Sequence, residues 1–283
     1  MNLSRNQGIL WALGAAMVSG ISISVNKFGM AQVSDPLVYT TVKNSVVVIG
    51  LLAAVGLLAS WKELRGLTAA QWLAWIGLGV IGGGVPFLLF FQGLSTASAA
   101  SASLVQKSLF LWVALLAVPL LKERLGAWQV LGLAVLAVGQ VLLQPLTHWG
   151  GWGSGETWIL LATWLWAVET ILAKNVLGWM SPHTAALGRM GIGALVMWLF
   201  LTFTGHAGTA FTLSGTRWIW IVITAAFLLG YVWIWYSALK LAKASLVTSV
   251  LTVGAIVTIL LTAVLNGQLA TTPQLVAMLQ LVV

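Results

Sequence analysis

Cysteine is absent from this chain, which removes disulfide staples, thiolate metal ligands and thiol catalysis together. Charge is scarce as well. Asp, Glu, Lys and Arg make up 6% of the residues and apolar types 60%, whereas a soluble domain carries about a quarter charged residues. With a mean hydropathy of +1.02, the solvent for most of the chain is lipid. Acids are scarcest: Asp35, Glu63, Glu123, Glu156 and Glu169 are the whole set. No HExxH, paired-aspartate or Ser/His/Asp spacing occurs, and His148, His183 and His206 fall in or beside loops far apart in sequence. The chain is not expected to be an enzyme, and no metal or other cofactor is expected. The net charge of +8 does not indicate nucleic acid, because the 13 Lys and Arg are scattered as ones and twos between apolar runs and offer no basic face to phosphates. The first apolar segment is too long for a signal-peptide core, and no small-residue cleavage site with a soluble domain follows it.

What is present is a series of apolar runs. A spanning helix needs about 20 such residues, and nine runs qualify: 8–29, 36–59, 71–93, 98–121, 127–146, 155–175, 183–204, 217–238 and 244–265. A tenth begins near Pro273 and reaches Val283, about 15 Å of helix, so the last helix is expected to be cut short in this sequence. The chain also repeats itself once. Counting back 147 positions lays Gly155, Trp158 and Lys174 on Gly8, Trp11 and Lys27; a shift of one then lays Pro182, Arg189 and Trp218 on Pro36, Lys43 and Trp72. The expected halves are 1–147 and 148–283, joined through Trp149-Gly-Gly-Trp-Gly-Ser-Gly155, a flexible linker.

With the N-terminus inside, Arg5, Lys62, Arg65, Lys122, Arg124, Lys174, Lys240 and Lys243 fall in cytoplasmic segments, and the outer connections hold only Lys27 and Arg217. Such an excess of inner cations sets orientation. Five helices per half put the second half upside down relative to the first, and odd-numbered inverted repeats mark transporters with a site near the midplane. The expected fold class is all-α integral membrane, ten transmembrane helices as two inverted five-helix repeats, in a bacterial inner membrane.

Local motifs carry a family resemblance. Gly93-Leu-Ser-Thr-Ala-Ser-Ala-Ala, a helix ending Pro119-Leu-Leu-Lys-Glu-Arg-Leu125, then Trp128-Gln-Val-Leu-Gly132 and Gly139, resemble the EamA repeat of the drug/metabolite transporter superfamily. A second copy starts at Ala238-Leu-Lys-Leu-Ala-Lys-Ala-Ser245, with Asn266-Gly-Gln-Leu269 in place of the acidic loop motif. The resemblance covers nearly the whole chain. It implies ten helices in two inverted halves around a central cavity, and export of small metabolites.

Charges inside the spans are the informative residues, because burying one in a bilayer is expensive unless it is paired or wet. Lys43 and Arg189 hold repeat-equivalent places about a turn and a half inside their helices and are expected to snorkel to the headgroups. Lys27 and Lys174, at helix ends, are expected to anchor at the interface. Lys107 and Glu169 differ, since their repeat partners are Thr252 and Ser22 and the architecture demands neither charge. They lie about 4 Å and about 6 Å from the middle of their helices, on opposite sides of the midplane. Ser103, Lys107, Phe110 and Ala114 share one helical face, and Ala162, Trp166, Glu169 and Ala173 share another. One reading makes Lys107 and Glu169 a structural neutral pair. The sharper one has Lys107 hold a substrate anion and Glu169 a substrate cation or a coupled proton, since a carboxylate taken from water favours its neutral acid.

Ala15, Ser19, Ser22 and Asn26 form a polar stripe on the first helix, and Ser245, Thr248 and Thr252 another on the ninth; such stripes serve helix contacts or a ligand. Gly82-Gly-Gly-Val-Pro86, followed by Phe87, can bend the third helix and free backbone groups. Phe227, Tyr231 and Trp235 stack at i, i+4 and i+8, with Tyr231 near the helix centre. Candidate substrate residues are therefore Lys107, Glu169, Trp166, Ser22, Asn26, Phe87, Ser103, Tyr231 and Thr252, with Glu169 also the proton-coupling group. The expected function is secondary active export of amino-acid-like, zwitterionic or weakly anionic metabolites by alternating access, with protons as coupling ion. The expected partners are that small molecule and the lipid bilayer, without nucleic acid, for a monomer or homodimer. Two rivals stand. An organic-anion exchanger of the sugar-phosphate type would want two or more cations converging on the cavity. A non-transporting membrane scaffold would need no asymmetric buried charge.

Overall fold

The computed structural model describes residues 2–33, 35–94, 96–97, 105–143, 152–213, 215–254, 256–257 and 260–261, and every regular element among them is helical. Helix α1 is Asn2–Ala31. Helix α2, Pro36–Leu57, starts where Asp35 Oδ1 accepts the Leu37 N–H at 2.8 Å and the Val38 N–H at 3.3 Å, with Pro36 at the first helical position. The first N–H groups of a helix lack helical partners, so a capping carboxylate followed by proline sets the boundary. The helix ends as Ala59 turns to φ 52°, with the Ser60 N–H on Val55 O and the Ala59 N–H on Gly56 O, a Schellman close. A single turn, α3 (Lys62–Arg65), follows. Thr68 and Gln71 then make the capping box that opens α4, Ala69–Leu78.

The same rod continues through a π-helical turn, Gly79–Gly84, into α5, Val85–Leu94. Beyond it come α6 (Leu109–Leu120), α7 (Ala127–Leu143), α8 (Ser154–Val176) and α9 (Pro182–Phe203). The last are the short α10 (Ala207–Ala210), α11 (Thr216–Leu241) and α12 (Ala244–Leu251).

Among the described residues, five stretches are long and apolar enough to cross a membrane: Pro36–Leu57, Ala69–Phe90, Ser154–Val176, Pro182–Phe203 and Thr216–Leu241. A 22-residue helix such as α2 is about 33 Å long, the thickness of a hydrocarbon core. Helix α1 covers the first expected run, and α6 and α7 are shorter apolar helices within the fourth and fifth. The linker from 144 to 151 and the expected tenth run lie outside the described residues. The outer faces are apolar, with Leu57 and Phe203 each 87% exposed and Leu10, Ile49 and Leu73 also outward. Lipid, not water, accepts such a surface.

Inside, Val47, Leu51, Leu78, Ile171, Met190 and Tyr236 form the main core together with small residues such as Ala167 and Ala225. Helix α1 lies along α11, α9 packs on α2 and the π turn, and α5 lies on α8. Helices α2 and α9 are antiparallel. At one end Ser60 Oγ meets His183 Nε2 at 2.5 Å, and at the other Val38 and Val42 pack with Leu201. The cation-bearing connections gather at the Ser60 end, where Lys240 Nζ donates to Met180 O at 3.0 Å and Lys243 Nζ to Arg124 O at 2.9 Å. Lys174, expected to anchor at the interface, instead donates to Leu239 O at 2.5 Å and Ala242 O at 2.7 Å. It thereby satisfies the last carbonyls of α11, which have no helical partner. The Lys27 side chain lies outside what is described.

Candidate functional site

Glu169 sits seven residues before the end of α8 (176 − 169) and is 1% exposed. Tyr236, from α11, donates its hydroxyl to Glu169 Oε1 at 2.5 Å. Arg189, from α9, brings Nε within 3.9 Å of the same oxygen. Arg189 is 9% exposed and its Nε has no hydrogen-bond partner. The two charges therefore touch electrostatically without closing the paired N–H···O fork that a guanidinium can make with a carboxylate. Tyr231, also from α11, stacks on Trp235 with ring centroids 6.1 Å apart.

Backbone supplies another wall. A Cβ on Gly82 would strike Glu169 Cγ, and one on Gly83 the carbonyl of Arg189. Only glycine lets the α4–α5 rod seat directly on the charge pair. The π turn interrupts the regular i to i−4 ladder, and Gly82 O accepts the indole N–H of Trp166 at 3.0 Å. The rings of Phe87 and Phe90 stand 5.5 and 5.7 Å from that of Trp166. The glycine run expected to bend the third helix forms a π turn, and its Gly82 carbonyl is used by the candidate site residue Trp166.

A second polar cluster surrounds Lys43. The expected snorkelling is not what the structure shows for either cation, since both Lys43 and Arg189 are turned inward. Lys43 Nζ donates to Asn26 Oδ1 at 3.0 Å and lies 5.2 Å from the centre of the Tyr39 ring. Asn26 donates to Ser22 O at 2.8 Å and Ser22 Oγ at 2.9 Å, and the Tyr39 hydroxyl reaches Thr224 Oγ1 at 2.7 Å. The physical reason is that a polar partner inside the bundle stabilises an ammonium better than lipid on the outside can. Among the described residues no carboxylate pairs with Lys43. Lys43 and Arg189 each lie seven residues into antiparallel helices, about 10 Å from the start of each. The two clusters therefore sit toward opposite ends of the bundle.

The remaining candidates are dispersed. Lys107 is half-buried in the turn ahead of α6 and joins no ion pair among the described residues. The Lys107–Glu169 neutral pair is thus corrected to Arg189–Glu169, because α9 brings the guanidinium closer. Thr252 donates to Ser249 O in its own turn at 2.6 Å and does not join the Glu169 cluster. Ser103 lies outside the described residues. Sequence reasoning missed Arg189 and Tyr236 as partners of Glu169. The usable signal for Arg189 was that both halves place a cation seven residues after the proline that opens a helix; Tyr236 gave none. An apolar groove of about 450 Å³, lined by Ser45, Leu52, Trp75, Leu187, Ile192 and Trp198 among others, opens between α2, α4 and α9. It contains no charged residue and shares no lining residue with either cluster.

Known proteins resemble this chain in parts and as a whole. Over 134 residues it is 28% identical to an uncharacterized transporter in the cobO 3′ region of Sinorhizobium sp, a match covering 47% of this chain and 93% of that protein. It is 36% identical over 110 residues to a WAT1-related chloroplastic protein of Arabidopsis thaliana, covering 37% of this chain and 26% of that one. With the uncharacterized transporter YxxF of Bacillus subtilis (strain 168) it shares 28% over 116 residues, 41% of this chain and 36% of that protein. A solved crystal structure superposes with a TM-score of 0.79 at 18% identity, over 98% of this chain and 94% of the other. That likeness is one of fold. The model of the EamA-like transporter family matches residues 6–144 and again 153–283, so nearly all of the chain is accounted for by two successive copies. This integral, multi-pass membrane protein belongs to the EamA-like transporter family.

Proposed function

We propose that the chain exports small amphoteric metabolites by alternating access, with Glu169 as the group at which a substrate cation and a proton exchange. The observation that carries this reading is the buried meeting of Glu169, Arg189 and Tyr236, three polar side chains from three helices. Charged side chains at such depth are rare, pair with one another and mark substrate or proton paths. Arg189 compensates Glu169 as an anion, so a proton or a substrate ammonium reaches the carboxylate when that contact opens. The π turn of the first half covers the contact, and movement of one half against the other uncovers it. The proposed frame is ten helices in two inverted halves, 1–147 and 148–283, in a bacterial inner membrane with the N-terminus cytoplasmic. The antiparallel course of the repeat-equivalent helices α2 and α9 supports the inversion. The gathering of cation-bearing connections at one end supports the sidedness.

A second reading has its own observation. Lys43 is buried with no carboxylate partner among the described residues, and with Lys107 it would give the two cations that an organic-anion exchanger wants. Counterflow from proteoliposomes against a metabolite panel separates the two. Zwitterions should exchange with a substrate-induced pH change, and Glu169→Gln should eliminate gradient-driven uphill flux. Exchange confined to phosphate esters would transfer the assignment to the second reading. Wild-type flux without proton movement would end the coupling proposal and leave the transporter intact.

A further inference from the structure

Two acids in the connections of the first half reach across to the second. Glu63, in α3, accepts the Ser181 N–H at 2.9 Å at the head of α9. Glu123, just past α6, accepts the Ala244 N–H at 2.7 Å, the Ser245 N–H at 3.3 Å and the Ser245 hydroxyl at 2.5 Å, at the head of α12. The first N–H groups of a helix lack helical partners and carry its positive end, so a carboxylate there makes charge-assisted bonds. The chain is turned to aim both acids. Lys122 adopts φ 54°, and the Glu123 N–H closes on Ala117 O at 3.1 Å; Ala59, at φ 52°, turns α2 into α3. Lys243 on Arg124 O adds a bond across the halves beside Glu123, while Lys240 on Met180 O ties α11 to the head of α9 within the second half, beside Glu63.

The opposite end is built differently. Asp35 caps its own helix, as Glu156 does through the Gly153 N–H at 2.9 Å. Asp35 also meets His206 at 3.1 Å, a contact with a partly exposed histidine that is charged only when protonated. The repeat sharpens the difference. The counterparts of the Glu63 and Glu123 connections are residues 204–215 and 266–272, and neither stretch contains Asp or Glu. Those two connections of the second half thus carry no acid to match Glu63 and Glu123.

We propose that Glu63 and Glu123 form a two-point carboxylate latch that holds their end of the bundle shut at rest, and that transport requires both caps to release together. The latch rests on the alternating-access reading above. Because the chain has no native cysteine, single reporters can be placed cleanly. Ala173→Cys is buried three residues from the latched end of α8, and Val42→Cys is buried toward the opposite end of α2. Each is combined with Glu63→Gln/Glu123→Gln, which keeps volume and an acceptor but removes charge, and labelling rates with a small methanethiosulfonate are measured in proteoliposomes. Ala173→Cys should label about tenfold faster or more, the scale of a lost charge-assisted bond, while Val42→Cys slows. An unchanged Ala173→Cys rate overturns the latch. So does an equal rise at both reporters, which is general loosening. Should the double variant not assemble, Glu63→Gln and Glu123→Gln are tested singly with the same reporters, and no shift in either overturns the proposal. Labelling reads conformation and counterflow reads flux, so failure of the latch is distinguishable from failure of the export reading.

Discussion

Replacing Arg189 by methionine would leave Glu169 buried, with the Tyr236 hydroxyl still donating to it but no compensating charge. Removing one member of a buried ion pair costs about 3–5 kcal/mol, whereas removing both is often close to neutral. The 3.9 Å separation and the unpartnered Nε place this pair at the low end, about 3 kcal/mol for Arg189→Met. Glu169→Gln, which strands the guanidinium instead, should cost a similar amount. The double variant should recover about 2 kcal/mol of the summed loss, within the range for contacting charges. The assay is denaturant unfolding in detergent micelles, followed by the fluorescence of the 17 tryptophans. Lys107→Met with Glu169→Gln is the control and should be additive to within about 0.5 kcal/mol. Additivity in the Arg189 cycle, or a larger coupling in the Lys107 cycle, would refute the pairing and restore Lys107 as the partner.

Four further outcomes are expected. Tyr236→Phe removes the donor to Glu169 Oε1 and should lower stability by about 1–3 kcal/mol in the same unfolding assay. Gly82→Val should drive a side chain into Glu169 Cγ and abolish counterflow, while Gly56→Ala, with nothing within 4 Å of its added Cβ, should be tolerated. Lys107→Met should abolish counterflow of a zwitterion and Lys107→Arg should impair it less; equal loss from Lys43→Met would move the anion-holding role to Lys43. Cysteines at Leu64 or Arg124 should label from the cytoplasmic side, and labelling from outside alone would overturn the orientation.

The lipid-facing character of the chain, its helices and its internal repeat were legible without coordinates. Each depends on composition or on residues within a turn of one another. Asp35 with Pro36, Thr68 with Gln71, and Pro182 after Ser181 start helices where capping chemistry says they should. Glu169 also stood out, as the only acid away from the ends of a span. Its partners did not. Tyr236 lies 67 residues away, and Arg189 has a side chain long enough to reach headgroups or core. Which way such a side chain turns depends on the rotation of its helix against its neighbours, and local sequence does not encode that. The same holds for Gly82, whose close approach to Glu169 needs two separate helices in contact, and for Glu63 and Glu123, which resemble ordinary loop acids until the heads of α9 and α12 meet them. Solvent, elements and the single mid-span acid follow from short-range chemistry and so can be read along the chain. Tertiary structure alone decided which charges compensate one another and which helix ends are tied, because those contacts join residues far apart in the chain.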